Sequence, residues 1–328
     1  MVTISIPGPI GRDRDTTVKP ADRVRPGIVP GTRTGYPLVL TGCPAGRAGA
    51  CSATTDSRQR AEGREGAVSD SVQYGLDGAV ATITINRPEA RNALTTPAKV
   101  ALLDALRDAS SDQDVRVVIL TGAGPAFCSG QDLREHAELL ASGGAPLDTV
   151  RQHYNPMIET ITGMAKPVVA VLPGVAAGAG AALAFACDFR IAAQRASLLL
   201  AFARVGLGAD SGASWTLQRL VGAARAAELL MLAEPLDSAA ALGLGLLTSV
   251  VPDEELPAAA AAFAARLAGG PTLAYAAIKE SLLYASSHGL SEALEKEADL
   301  QTALGDTADH QEATAAFVAK QTPVFHGR

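Results

Sequence analysis

"KPVVAVLPGVAAGAGAALAFACD", Lys166 to Asp188, joins two kinds of sequence whose succession sets the fold class. The first part, "KPVVAVLPG", is a short apolar run rich in valine and closed by Pro173 and Gly174, as expected of a buried strand. From Pro173 onward ten of sixteen residues are Gly or Ala, and the only ionisable groups are Cys187 and Asp188. Glycines that open a small helix leave backbone N–H groups exposed at the positive end of the helix dipole. The same composition equally permits close helix packing, and spacing alone leaves both uses open. A dinucleotide fingerprint does not fit, because Leu183 holds the third glycine position and no acidic residue follows about 20 residues on at a strand end.

Outward from this stretch the pattern recurs. "AVATITIN" (Ala79–Asn86) alternates β-formers and ends before Pro88, so it predicts a strand leaving into a loop. Thr95, Thr96 and Pro97 then start a helix through about Asp108, and "VRVVILTG" (Val115–Gly122) predicts a second buried strand. "FCSGQDL" (Phe127–Leu133) is another strand-to-helix junction, followed by a charged helix and then a helix around Asp148 to Met164. "FRIAA" and "SLLLAF" predict short strands. After Ser211 the chain reads as helical almost to its end, with breaks near Gly222, Glu234–Leu236, Pro252–Glu254, Gly269–Pro271 and His288–Gly289. Alternating strands and helices followed by a helical tail predict an α/β core with parallel strands. In such a core both Gly-rich junctions leave carboxyl ends of strands, where ligands gather. Two backbone donors brought together there would suit an oxygen that gains negative charge during reaction.

The totals exclude several classes. The chain has 328 residues, 48% hydrophobic, a net charge of −6 and no basic stripe, so neither a nucleic-acid nor a membrane partner is expected. Its apolar runs are shorter than the roughly 20 residues that span a bilayer. Cys43, Cys51, Cys128 and Cys187 lack metal-ligand spacing, so no metal site or disulfide framework is expected, and a reducing cytoplasm fits best. Residues 1–71 carry no sustained periodicity and are expected to be a disordered extension or the product of a mis-assigned start.

Four motifs in order, "RPEARNAL" (Arg87–Leu94), "VILTGAGPAFCSGQDL", "KPVVAVLPGVAAGAGAALAFACD" and "VGLGADSGASWTLQRLVG" (Val205–Gly222), resemble the crotonase superfamily of enoyl-CoA hydratases and isomerases. The likeness runs from about Val72 to Arg328 and takes in "AIKESL" and the closing "PVFHGR". It implies a ββα superhelix as a core over 72–265, and a C-terminal helical segment over 266–328 that builds homotrimers or hexamers. By this resemblance the backbone N–H groups of Gln131 and Ala179 form an oxyanion hole for an acyl-CoA thioester. Ala179 departs from the family's usual Gly, which a backbone donor tolerates if its φ stays in the ordinary region. Arg91, Ser129, Asp132, Leu133, Phe202 and Lys279 fall at positions expected to contact substrate or CoA. No cofactor is implied beyond the coenzyme A that belongs to the substrate.

Hydratases of the family use two glutamates, and this chain has Ala182 and Phe202 at those positions, neither able to transfer a proton. Asp210 remains. By its motif it resembles the aspartate used as acid/base in the phenylacetate-pathway 2-(1,2-epoxy-1,2-dihydrophenyl)acetyl-CoA isomerase group, and as nucleophile in chlorobenzoyl-CoA dehalogenases. Phe202 in place of a ring-holding Trp disfavours the dehalogenase. Asp210 or Ser211 otherwise reads as a helix N-cap. The expectation is therefore an isomerase with Asp210 buried beside Phe202 and Trp215, which raises its pKa. A hydratase with unusual acid/base groups and a non-catalytic acyl-CoA binder are the alternatives. His153 is a lesser candidate base, and His310 an ordinary surface histidine.

Overall fold

The computed structural model describes residues 65–328. The chain enters through three antiparallel strands, β1 (Glu65–Ser69), β2 (Val72–Asp77) and β3 (Val80–Ile85). Helix α1 (Thr96–Ser111) carries it to β4 (Val117–Gly122), which pairs with β3 in parallel. β5 (Ala126–Cys128) and α2 (Leu133–Ala141) follow, then a π-helical turn over Val150–Tyr154, α3 (Asn155–Gly163), β6 (Val168–Leu172) and β7 (Val175–Ala177). Next come α4 (Ala179–Ala186), β8 (Phe189–Ala193), β9 (Ser197–Leu199), α5 (Ala213–Leu232), β10 (Leu236–Asp237), α6 (Ser238–Gly243) and β11 (Ser249–Val251). Helices α7 (Leu256–Ala268), α8 (Thr272–Ala285), α9 (Leu290–Gly305) and α10 (Ala308–Val318) end the chain.

Two sheets result. One has the order β1-β2-β3-β4-β6-β8-β11, the other β10-β9-β7-β5. The central strands of the larger sheet read as unbroken apolar runs because helices cover both faces. Val118, Leu120, Val168 and Ala170 join Leu102 and Leu106 of α1 in one core, whereas Val117, Ile119, Val169 and Val171 join Leu256, Ala260, Ala264 and Leu267 of α7 in another. Each fully buried Leu, Ile or Val side chain contributes about 1.5–3 kcal/mol. Helix α1 starts where expected, with Thr95 accepting from the Ala98 N–H at 3.5 Å.

The structure departs from the sequence reading at three places. The expected extension over 1–71 lies almost wholly outside the described residues, but its last residues form β1, paired with β2, so the described fold begins before Val72. A core boundary at 265 would cut α7, whose buried face packs on the large sheet as far as Leu267. The tail after Ser211 is not purely helical: β10 pairs with β9, and β11 pairs in parallel with β8. Two- and three-residue strands are too short to show a period of two. The chain's end is tied back to the core, since Arg116 donates to the carbonyls of Phe325 (3.0 Å) and Gly270, and Asp309 accepts from the N–H groups of His326 (2.7 Å) and Gly327 (2.8 Å).

Candidate active site

Both Gly-rich junctions leave the smaller sheet side by side, because β5 and β7 are parallel neighbours, with Ala126 opposite Val175 and Cys128 opposite Ala176. Their glycines let the two backbones meet. A Cβ on Gly180 would lie 2.2 Å from the Cys128 carbonyl oxygen, and one on Gly130 would lie 2.7 Å from that of Ala177 and 3.2 Å from the Ala179 nitrogen. Gly178, not Ala179, takes the positive φ (51°) that turns the chain into α4. Leu94 bridges the other junction, donating to the Gly130 carbonyl (2.8 Å) and accepting from the Asp132 N–H (3.1 Å). Strand alternation therefore points the N–H of Gln131 to the opposite side. Among the described residues neither the Gln131 nor the Ala179 N–H donates to a backbone acceptor.

A cavity of about 740 Å³ holds Ser129, Gln131, Gly178 and Ala179 on its wall. Leu133, His136 and Leu140 of α2, with Pro146 and Leu147 beyond it, form a second side; Thr149, Tyr154, Phe202, Val205, Leu207 and Asp210 are also on the cavity wall. Among the described residues Asp210 is the only carboxylate on that wall. Burial pushes its pKa above the ordinary value, partly offset by the Ser211 hydroxyl, which donates to Oδ1 at 2.7 Å. Its side chain is not a helix cap: α5 is preceded by Gly212, and Asp210 offers the helix only its backbone carbonyl, to the Ala213 N–H at 2.9 Å. Ser211 is buried at φ +51°, a left-handed conformation uncommon for a side-chain-bearing residue.

Other expected site residues separate. Ser129, Leu133 and Phe202 line the cavity, whereas Arg91, Asp132 and Lys279 do not. Arg91 is exposed and ends the turn Pro88–Ala90 in a left-handed conformation. Asp132 caps α2, accepting from the N–H groups of Arg134 (3.1 Å) and Glu135 (3.3 Å), and pairs with Arg87 at 3.0 Å. Its burial raises its pKa, but those bonds outweigh the effect and hold it below the usual carboxylate range. Lys279 is committed elsewhere, to Asp188 at 2.8 Å and to the carbonyls of Ile161 (3.2 Å) and Lys166 (3.1 Å). Trp215, expected beside Asp210, is instead 37% exposed and lies under the Arg219 guanidinium at 3.9 Å. Ala182 is buried inside α4. His153 stays off the cavity wall, its Nδ1 3.0 Å from the Thr149 hydroxyl; burial and the Lys99 charge lower its pKa.

Three residues went unnoticed in the sequence. Lys99, buried on α1, donates to Gln131 Oε1 at 3.0 Å and to Thr149 Oγ1 at 2.6 Å, and Tyr154 donates to the same Gln131 oxygen at 2.8 Å. Burial lowers the lysine pKa, and Glu135, 4.0 Å away, opposes that shift. A signal existed: Lys99 shares the helical stripe of Leu102, Leu103 and Leu106, where a charge needs buried partners.

Two adjacent strand-to-helix junctions with unpaired backbone N–H groups, a cavity and a half-buried carboxylate thus stand together on a sheet-and-helix core. The chain matches the enoyl-CoA hydratase/isomerase family over residues 75–328 and belongs to it. It is 42% identical to the "Probable enoyl-CoA hydratase" of Rhodobacter capsulatus over 259 residues, 79% of this chain and 98% of that protein. It is 38% identical to the "1,2-epoxyphenylacetyl-CoA isomerase" of Escherichia coli over 256 residues, 77% and 97% of the two chains. A solved structure of an enoyl-CoA hydratase/isomerase family protein from Mycobacterium abscessus superposes with a TM-score of 0.75 at 44% identity, covering 78% of this chain and all of that one (100%). The fold is thus the crotonase-like ββα superhelix with C-terminal helices, and the chain is an acyl-CoA hydratase/isomerase family enzyme. None of the described helices is long and apolar enough to cross a membrane.

Proposed function

We propose that the chain is an acyl-CoA isomerase that moves a double bond, or opens a ring epoxide, through a thioester enolate. The observation that carries this is Asp210, among the described residues the only carboxylate on the wall of the cavity that also holds Gln131 and Ala179. Asp210 takes a proton from the carbon beside the thioester carbonyl. The electron pair moves onto the carbonyl oxygen, which accepts hydrogen bonds from the Gln131 and Ala179 N–H groups. Asp210, now protonated, returns the proton two carbons further along, and the double bond ends in conjugation with the thioester. Its raised pKa suits a group that must both take and give a proton. One shuttling carboxylate suffices, and no cofactor is needed beyond the CoA of the substrate. Ser129, Leu133 and Phe202 shape the bound thioester. In Asp210→Asn, conversion of 3-enoyl-CoA to 2-enoyl-CoA, followed by absorbance of the conjugated thioester, falls about 10²–10⁴-fold. Near-wild-type turnover would remove Asp210 from the mechanism.

The similarity to a protein named "Probable enoyl-CoA hydratase" favours a second reading, hydration with unusual acid/base groups. Loss of the conjugated absorbance of crotonyl-CoA tests it, and thioester binding without either turnover would mark a non-catalytic binder. A homotrimer or hexamer belongs to the same proposal. It is supported by Ile278, Leu282, Leu290, Leu294 and Phe317, which stand more than half exposed on α8, α9 and α10. A cytoplasmic location and a place in phenylacetate breakdown complete it. The first is supported by the free, buried thiols of Cys128 and Cys187, the second by likeness to an epoxyphenylacetyl-CoA isomerase.

A further inference from the structure

The Gln131 side chain carries information that its backbone role does not use. Its Oε1 accepts from both Lys99 Nζ (3.0 Å) and Tyr154 Oη (2.8 Å). An ammonium has three donors and no acceptor, so the amide oxygen must face Lys99 and the amide NH₂ must face away. That NH₂ donates to no protein group among the described residues, and no unpartnered side-chain nitrogen there is buried. It is therefore the accessible end of a residue on the cavity wall. Lys99 is held in turn by Thr149 at 2.6 Å, so the amide cannot turn over without breaking a buried charged bond. A cation behind the carbonyl also polarises the amide and strengthens its N–H donors.

The geometry points to Gln131 as a specificity-determining residue: its side-chain NH₂ binds an uncharged acceptor oxygen on the acyl group, beyond the thioester. Lys99 and Tyr154 are positioning residues that act through it. An uncharged oxygen, such as an ether, epoxide or ketone, fits better than a carboxylate because Asp210 shares the cavity. Most of the remaining lining, Leu140, Leu147, Phe202 and Val205 among it, is apolar; Ser129, His136, Thr149 and Tyr154 are its other polar side chains, and the Tyr154 hydroxyl already donates to Gln131. A preset donor discriminates because ligands without an acceptor leave it dry and unpaired. This inference rests on the acyl-CoA reading above.

Two saturated acyl-CoA thioesters of equal length test it, one with a chain methylene replaced by an ether oxygen four to six atoms from the carbonyl carbon. Neither can isomerise, so calorimetric affinities for the full chain are read without turnover. The wild type binds the ether at least as tightly as the methylene compound, although the ether is better hydrated in water. Gln131→Met lowers the ether-to-methylene affinity ratio about 3- to 10-fold, the worth of one uncharged hydrogen bond. Tyr154→Phe and Lys99→Met, which release the amide oxygen, lower the same ratio by less. A purely structural role would weaken both ligands alike and leave the ratio unmoved, which overturns the inference, as does weaker binding of the ether by the wild type. If Gln131→Met fails to fold, the ratio in Tyr154→Phe decides. Turnover of 3-enoyl-CoA is scored separately. Selectivity without turnover keeps the acceptor site and removes the isomerase, turnover without selectivity does the reverse, and failure to bind either thioester overturns both.

Discussion

The two halves of the cavity wall are built on different principles. On one side, the β5 and β7 junctions present backbone N–H groups fixed by sheet pairing and by glycines whose neighbours leave no room for a methyl. On the other, Asp210 presents a single side chain from the loop between the Ala201–Val205 turn and α5, much of it exposed between Ala203 and Gly208. A backbone donor survives a change of its own side chain, so the methyl group of Ala179 leaves its N–H in place. A carboxylate is removed by exchanging one functional group. In the proposed reaction the first side stabilises the intermediate and the second moves its proton.

This contrast can be broken experimentally. The largest effect falls on the side-chain wall, with Asp210→Asn losing about 10²–10⁴ in rate while thioester binding persists. Equal loss of binding and rate would show that Asp210 shapes the cavity instead of moving protons. Next is Gly180→Ala on the backbone wall. Its new methyl meets the Cys128 carbonyl at 2.2 Å, so β5 must move. We expect about 1–3 kcal/mol of destabilisation in urea melts, together with at least a tenfold activity loss from displaced donors.

Asp132→Ala separates structure from binding at the edge of the same wall. Losing the α2 cap and the Arg87 partner should cost about 1–2 kcal/mol of stability. The KM for CoA thioesters should move less than threefold, since the side chain stays off the cavity wall. A tenfold rise in KM would return Asp132 to the CoA site.

The smallest effect has the opposite sign. Because burial raises the Asp210 pKa, the folded state binds its proton more readily than the unfolded chain does. The stability this contributes is fully present below the unfolded value of about 3.9 and is lost as pH rises through the raised folded value. An asparagine carries no charge to bury, so Asp210→Asn should melt slightly higher than wild type at pH 7, with the gap closing in acid. A lower melting temperature at pH 7 would mean that the carboxylate has a stabilising partner. Activity should rise with pH through the same transition, as the base form appears.

Legibility in the sequence followed the range of the interactions. Strands β3, β4 and β6 and the start of α1 were readable because a run of β-formers or a Thr-Pro start acts over a few residues. β10 and β11 were not, since each exists only through a partner, Leu198 beside Leu236 and Ile191 beside Ser249. Among site residues, the positions of Gln131, Ala179 and Asp210 came from motif order. The fates of Lys279 and Trp215 did not, because an ammonium or an indole goes to whatever partner the fold brings, here Asp188 and Arg219. Lys99 was legible only as an anomaly, a charge on an apolar stripe.

By itself the sequence determined the α/β class, the family, the Gly-rich junctions and the lack of glutamates at two expected places, since each is a local pattern or an ordered set of motifs. Only the tertiary structure decided that the glycines serve close backbone contact, that Asp210 is a half-buried carboxylate on the cavity wall and not a cap, and that Lys99 and Tyr154 orient the Gln131 amide. Those facts depend on atoms far apart in the chain, 32 residues for Lys99 and Gln131, whose meeting is set by packing.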